Sequence, residues 1–256
     1  MNPSAVPLSL NAWLRWSLVE RLLEPLIDAR SFLEVGCGTG ALGMTLSQRY
    51  EYVGYEPDET SFQVAASRME QAGGSGRVVN STLPAQPGRY FDVLGAFEVL
   101  EHIRDDASAL SSWVRWLRPG GYAVISVPAH PSRYGPADEY VGHFRRYTRE
   151  AVAAVLESAG LTDAEVLGYG FPLGYVLEFG RNQMLGRRMR SASASQVERT
   201  AGSGRRLQPK DWLAPMIWAT ALPFGYLQRP FVHGNMCTGF VARARLSAGS
   251  RSGIQT

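Results

Sequence analysis

Apolar side chains recur at helical spacing from Asn11 to Arg30, where Trp13, Leu14, Leu18, Leu22, Leu23, Leu26 and Ile27 share one face. The spacing predicts a helix packed on the edge of the core, with Asn11 as its N-cap. Beyond it, short apolar runs alternate with amphipathic stretches. Strands are predicted at 31–35, 51–56, 76–80, 91–97 and 121–128, with helices at about 40–49, 58–72 and 105–117. A further helix at 148–159 ends at Gly160, Glu165 to Tyr169 reads as the next strand, and Met236 to Leu246 as the last. Such alternation implies an α/β fold with parallel strands and helices on both faces of the sheet.

The alternation stops between the last two strands. Residues 171–233 read as an insertion into a core formed by 1–170 and 234–248. Its middle, 191–206, is rich in Ser, Ala, Gly and Arg and reads as a mobile basic linker. On either side lie apolar segments, Phe171 to Leu185 and Trp212 to Leu227. The second is broken by Pro215 and Pro223 and is shorter than the roughly 20 residues a bilayer span needs. A helical lid over a substrate pocket is the preferred reading; core packing and monotopic membrane contact are the alternatives.

Composition narrows the class. The chain has 256 residues, 45% hydrophobic and 19% charged, enough to bury a substantial core. Cys37 and Cys237 are too few and too far apart for a disulfide framework and suit a reducing, cytoplasmic setting. Met1 to Leu10 lacks the basic region and apolar core of a signal peptide. The net charge of +3 is unevenly spread: residues 181–210 hold eight cations against Glu198 alone, hence +7 there and −4 elsewhere. That segment is either a solvated linker or a contact for an anionic partner.

Chemistry begins at Phe-Leu-Glu-Val-Gly-Cys-Gly-Thr-Gly, residues 32–40, an apolar strand running into a glycine-rich loop. Gly36, Gly38 and Gly40 permit a sharp turn and close approach to a ligand. Glu56 closes the next apolar run about twenty residues on, where a carboxylate can accept both hydroxyls of a ribose. The spacing is not Gly-x-Gly-x-x-Gly, since Ala41 and Leu42 precede Gly43, and no P-loop Gly-Lys-Ser/Thr follows. A nucleotide-type cofactor is expected.

Glu-Val-Gly-Cys-Gly-Thr-Gly resembles motif I of class I S-adenosylmethionine-dependent methyltransferases. The resemblance extends over about residues 30–170: Glu56 in Tyr-Val-Gly-Tyr-Glu-Pro-Asp, Phe91-Asp92-Val93-Leu94 with Phe97 at the fourth strand's exit, and Leu117-Arg118-Pro119-Gly120-Gly121 before the fifth. It implies a Rossmann-like, seven-stranded, mostly parallel sheet whose last strand enters through an antiparallel hairpin. It also implies S-adenosylmethionine as cofactor, held by Glu34, Gly36, Cys37, Gly38, Gly40, Glu56 and Phe97, with Ser81, Thr82 and Leu83 over the adenine. Here the chain departs from the family pattern, because no aspartate stands in Asn80-Ser81-Thr82-Leu83-Pro84 to meet the adenine amino group. Cys37 reads as a small side chain that fits the loop rather than a reactive thiol.

Glu98-x-x-Glu101-His102, followed by His143, resembles the metal centre of small-RNA 3′-end 2′-O-methyltransferases; Glu-Val-Leu-Glu-His also resembles the ubiquinone-biosynthesis O-methyltransferases. If a helical turn begins near Leu100, Glu98, Glu101 and His102 project to one side, and His143 supplies a fourth ligand for Mg²⁺, Mn²⁺ or Zn²⁺. Glu101, His102 and His143 are the expected catalytic residues. A histidine base without metal and a purely structural role stand beside the metal reading. Arg133, Arg145 and Arg146 with Tyr134, Tyr140 and Tyr147 either bind an anionic or planar substrate or serve a helix entry capped by Thr148. The expected activity is O-methylation of a small or lipid-like molecule, with peripheral membrane contact as a further partner. Methylation of RNA by way of the basic segment, and a non-catalytic cofactor-binding role, are the alternatives.

Overall fold

The computed structural model describes residues 8–189 and 210–247. Seven strands form one sheet: β1 (Ser31–Val35), β2 (Glu51–Tyr55), β3 (Gly76–Val79), β4 (Phe91–Phe97), β5 (Leu117–Pro128), β6 (Leu161–Tyr169) and β7 (Gly239–Leu246). Their order across the sheet is β3-β2-β1-β4-β5-β7-β6. The paired strands run parallel except β7, which is antiparallel to β5 and β6 and enters between them. The strand order reverses between β1 and β4, so the carboxyl ends of these two strands open the crevice where α/β sheets bind ligands.

The two-residue period of each strand divides the core into two layers. Leu33, Leu94, Ile125 and Ala242 face one layer, while their neighbours Phe32, Val93, Val124 and Val241 face the other. The first layer is closed by α4 (Asp106–Val114) and α6 (Arg149–Ser158), the second by α1 (Leu10–Leu23) and α2 (Ala41–Leu46). Helix α3 (Glu59–Ala72) covers β3, and the short α5 (Pro136–Val141) follows β5.

Three sequence-based expectations need correction here. The N-cap of α1 is Ser9, whose hydroxyl accepts the Ala12 N–H at 3.3 Å; Asn11 is the second residue of the helix and its Oδ1 accepts from the Thr238 hydroxyl. The helix stops at Leu23 because Pro25 cannot continue it, and Arg49 donates to the carbonyls of Leu23 and Leu26 beyond its end. Ile27 therefore falls outside the buried face and is exposed. Finally, β5 starts at Leu117 and β6 at Leu161, both earlier than the hydrophobic runs indicate. Each carries an irregularity, Gly120 at φ +79° and Asp163 at φ +55°, that hides the alternation.

The two apolar segments of 171–233 are helices, α7 (Leu173–Met189) and α8 (Ala214–Leu227). The expected linker 191–206 lies outside the described residues. Helix α8 packs on α1 and is pinned by buried Gln228, whose amide donates to Leu14 O and Ser17 Oγ at 2.9 Å and accepts the Gly170 N–H.

Candidate active site

Beyond Val35 the chain turns at Gly36, φ +66°, where a Cβ would stand 2.9 Å from Val99 Cγ2. Gly36 and Cys37 both donate to Tyr55 O, tying the loop to the end of β2. Gly38, at φ +56°, donates to Glu56 Oε2 at 2.8 Å, and Asp58 N–H meets Glu56 Oε1 at 2.8 Å. Glu56 thus braces the loop while each oxygen keeps a lone pair for a further donor. Burial pushes its carboxyl upward. Gly40, at φ +73°, caps α2 and faces Ala65 too closely to admit a Cβ.

Gly36, Cys37, Gly38, Glu56 and Asp58 form one wall of a cavity of about 1370 Å³ at the carboxyl ends of β1, β2 and β4, while Gly40, expected to hold the cofactor, is not among its lining residues. Typical small-ligand pockets hold roughly 300–1,000 Å³, so there is room for a cofactor and an acceptor together. Glu34, Gly36, Cys37, Gly38, Glu56 and Phe97 line it. Cys37 is buried and its thiol is pushed well up by that burial, which suits a packing role. Ser81, Thr82 and Leu83 do not reach the wall. Their segment leaves β3 at the sheet edge, Ser81 bonds locally to Thr82 O, Leu83 packs on the core, and Trp116 holds Pro84 O at 3.0 Å.

Glu34 is 2% exposed and accepts the Tyr52 hydroxyl at 2.6 Å. Burial lifts its pKa from 4.5 to about 7. The folded chain therefore keeps this proton longer than the unfolded one, and the contribution to stability is complete below pH 4.5 and lost as pH rises through about 7. The expected result is that wild type loses about 3 kcal/mol of stability relative to Glu34→Gln between pH 4.5 and 8, read by denaturant unfolding. Parallel pH profiles would contradict the assignment. Above Glu34 sits Arg15, a cavity-lining cation that the apolar stripe of α1 conceals in the sequence.

The Glu98–His102 motif is split by its backbone. Leu100–His102 is a single 3-10 turn, but Glu98 precedes it at φ +58° and leaves in another direction. Its carboxylate accepts Ser126 Oγ at 2.9 Å and the Tyr169 hydroxyl, and lies 3.6 Å from Arg15. Glu98 is therefore not a member of the expected metal cluster. Glu101, His102 and His143 do converge, with one ligand atom from each lying within 4.8 Å of the others. Glu101 is fully buried and neither of its oxygens has a hydrogen-bond partner. Burial, with the charge of Glu98 in addition, holds its carboxyl well above the usual range. His143 Nε2 stands 3.7 Å from Glu101 Oε1, and the two imidazole rings meet edge-on with centroids 4.7 Å apart. Burial and the neighbouring His143 lower His102 to about 3, so its ring is neutral at physiological pH.

Asp138 completes this corner, and the sequence reading missed it. Its Oδ1 bonds His143 Nδ1 at 2.8 Å, leaving Nε2 turned toward Glu101. Burial alone would raise the Asp138 carboxyl, but bonds from His143 and Arg146 outweigh it and leave a value of about 2. In the sequence, Asp138 reads only as an acid in the first turn after Gly135-Pro136. Arg146 pairs with both Asp138 and Glu178, Arg133 pairs with Glu178, and Arg145 pairs with Asp106 at 2.8 Å. Tyr147 also donates to Asp106, and Thr148 caps α6. The arginines of the basic–aromatic cluster are thus spent on internal ion pairs that join α4, α5 and α7 to the segment before α6.

Comparison with known proteins agrees with this architecture. Residues 12–166 match a family model described as a methyltransferase domain. A ubiquinone biosynthesis O-methyltransferase of Nitrosomonas europaea is 25% identical over 60% of this chain and 73% of its own length. A Mycolicibacterium smegmatis protein carrying the name of an S-adenosylmethionine-dependent methyltransferase is 30% identical over 65% of this chain and 69% of its own. Among solved structures, an S-adenosylmethionine-dependent methyltransferase from Archaeoglobus fulgidus superposes with a TM-score of 0.53 at 16% identity, over 91% of this chain and 94% of that one. A Haemonchus contortus phosphoethanolamine N-methyltransferase, solved with S-adenosylhomocysteine, gives 0.55 at 17%, over 91% and 52%.

Proposed function

The chain belongs to the S-adenosylmethionine-dependent methyltransferases, and from that premise we propose that it methylates a hydroxyl of a small, lipid-like acceptor at the Glu101–His102–His143 corner. The observation that carries this reading is Glu101. A buried carboxylate with both oxygens unpartnered is costly to maintain, and two imidazoles converge on it. S-adenosylmethionine supplies an electrophilic methyl group on its sulfonium. On this side Glu56 would take the ribose hydroxyls, the loop from Gly36 to Gly38 the methionine end, and Phe97 the flank of the sulfonium. The acceptor would enter beside Phe144, Val141, Leu177 and Ile217, whose apolar surfaces favour a hydrophobic molecule. The ubiquinone-biosynthesis relative favours oxygen as the attacked atom.

The donor set of one carboxylate and two imidazoles would suit a divalent ion such as Zn²⁺ or Mn²⁺, held by Glu101, His102 and His143. When bound, such an ion lowers the pKa of a coordinated hydroxyl. Asp138 then acts as a partner behind a ligand, fixing the His143 ring as carboxylates do behind metal-bound histidines. Without an ion, the same Asp138–His143 pair presents Nε2 as a base toward the acceptor.

Under either arrangement Asp138→Asn is expected to lower kcat by about 10- to 100-fold and leave S-adenosylmethionine affinity unchanged. An unaltered kcat would remove Asp138 from the site. The function itself is tested by screening the purified protein against catechols, polyketide phenols, fatty acids and short RNA, with and without chelator. Methyl transfer to a hydroxylated apolar acceptor supports the proposal; turnover on RNA alone contradicts it. Activity that survives thorough chelation, in protein free of metal, excludes the ion and leaves the histidine base.

A further inference from the structure

Helices α7 and α8 each turn one side to the cavity and the other outward. Leu177 and Arg181 of α7 and Ile217 of α8 line the cavity. One step round each helix, Val176, Phe179 and Met184, and Met216, Leu222 and Tyr226, are exposed, with Trp212 just ahead of α8. Phe179 is 68% exposed, Met216 63% and Trp212 74%. Isolated exposed apolar residues are ordinary; two helical faces of them on elements that line one cavity are not.

The charge around these faces is predominantly positive; the acids nearby are Asp211, next to Lys210 in the chain, and Glu20 and Glu24 of α1, which share a groove with Arg229. No Asp or Glu occurs from Trp212 to Met236, and no charged residue at all between Trp212 and Gln228. The single acid of α7, Glu178, is buried and turned inward onto Arg146 and Arg133. Lys210 and Arg229 bracket α8, both exposed, and Arg229 lies over the Tyr226 ring at 4.4 Å. By sequence alone, residues 181–210 carry a net charge of +7. An apolar face bounded by cations complements a surface that is apolar below and anionic at the rim. That is the chemistry of a bilayer rich in acidic lipid. No helix among the described residues is long and apolar enough to cross a membrane, so contact would be confined to the interface.

We propose that the outward faces of α7 and α8 dock on an anionic lipid bilayer and set the cavity mouth against its surface. The orientation lets an apolar molecule pass from the lipid to the cavity without crossing water. Docking is independent of the reaction assigned above and is measured without turnover.

The test mixes the full chain with vesicles of phosphatidylcholine alone, or of phosphatidylcholine and phosphatidylglycerol in equal parts, and sediments them. Binding to the mixed vesicles is expected to be at least about tenfold tighter and to weaken as salt rises. Trp212→Ser, Met216→Ser and Tyr226→Ser together should weaken it by at least about tenfold. The unfolding midpoint and S-adenosylhomocysteine affinity of that variant should match wild type, since none of the three lines the cavity. Lys210→Glu with Arg229→Glu should abolish the preference for acidic lipid. Failure to sediment with either vesicle, equal binding to both, or a triple variant that binds like wild type overturns the proposal. So does sedimentation velocity showing a dimer that the triple variant splits while vesicles stay unbound, because the face then belongs to a second copy.

Discussion

Glu56→Ala is expected to weaken S-adenosylmethionine binding by at least about a hundredfold while the protein stays folded. Two effects combine. The carboxylate would accept both ribose hydroxyls, and charge-assisted bonds of this kind contribute about 1.5–3 kcal/mol each. It also receives the Gly38 and Asp58 N–H groups at 2.8 Å, so its removal frees the loop that shapes the pocket. Calorimetric titration reads the affinity, and thermal unfolding checks that the loss is local. An affinity within threefold of wild type would place the ribose elsewhere.

Glu101→Gln should have the opposite profile. Turnover is expected to fall by at least about a thousandfold, in the upper range for loss of a catalytic acid–base group or metal ligand, with cofactor affinity nearly unchanged. The substitution is nearly isosteric and replaces a fully buried carboxyl without a hydrogen-bond partner, the His143 ring nitrogen standing 3.7 Å away. Its unfolding midpoint at neutral pH should therefore equal or exceed that of wild type, because no ionised group remains to be kept from water. Stability without activity at this position would mark the carboxylate as functional. Retained turnover would return Glu101 to a structural role, and a large loss of cofactor binding would reassign it to the cofactor pocket.

The strands that carry the cofactor loop were legible because their signals are local. β1 is a fully buried strand, Gly36, Gly38 and Gly40 all take positive φ, and Glu56 sits one residue past β2. The convergence of Glu101, His102 and His143 was legible too, since a short turn and one later loop suffice to assemble it. What the sequence hid depends on backbone conformation or distant packing. The left-handed φ of Glu98 redirects its carboxylate to Arg15, Ser126 and Tyr169, residues of three other elements. Asp138 and Glu178 read as ordinary surface acids until α5 and α7 bring them to His143 and Arg146. Ser81 to Leu83 follow the correct strand, yet their path along the sheet edge carries them off the cavity wall.

The most direct test is a crystal structure of the protein with S-adenosylhomocysteine. The account predicts both ribose hydroxyls on the Glu56 carboxylate, and the thioether sulfur beside Phe97 facing the wall that holds Glu101, His102 and His143. A ligand whose ribose lies away from Glu56, or whose sulfur faces away from that wall, would contradict it.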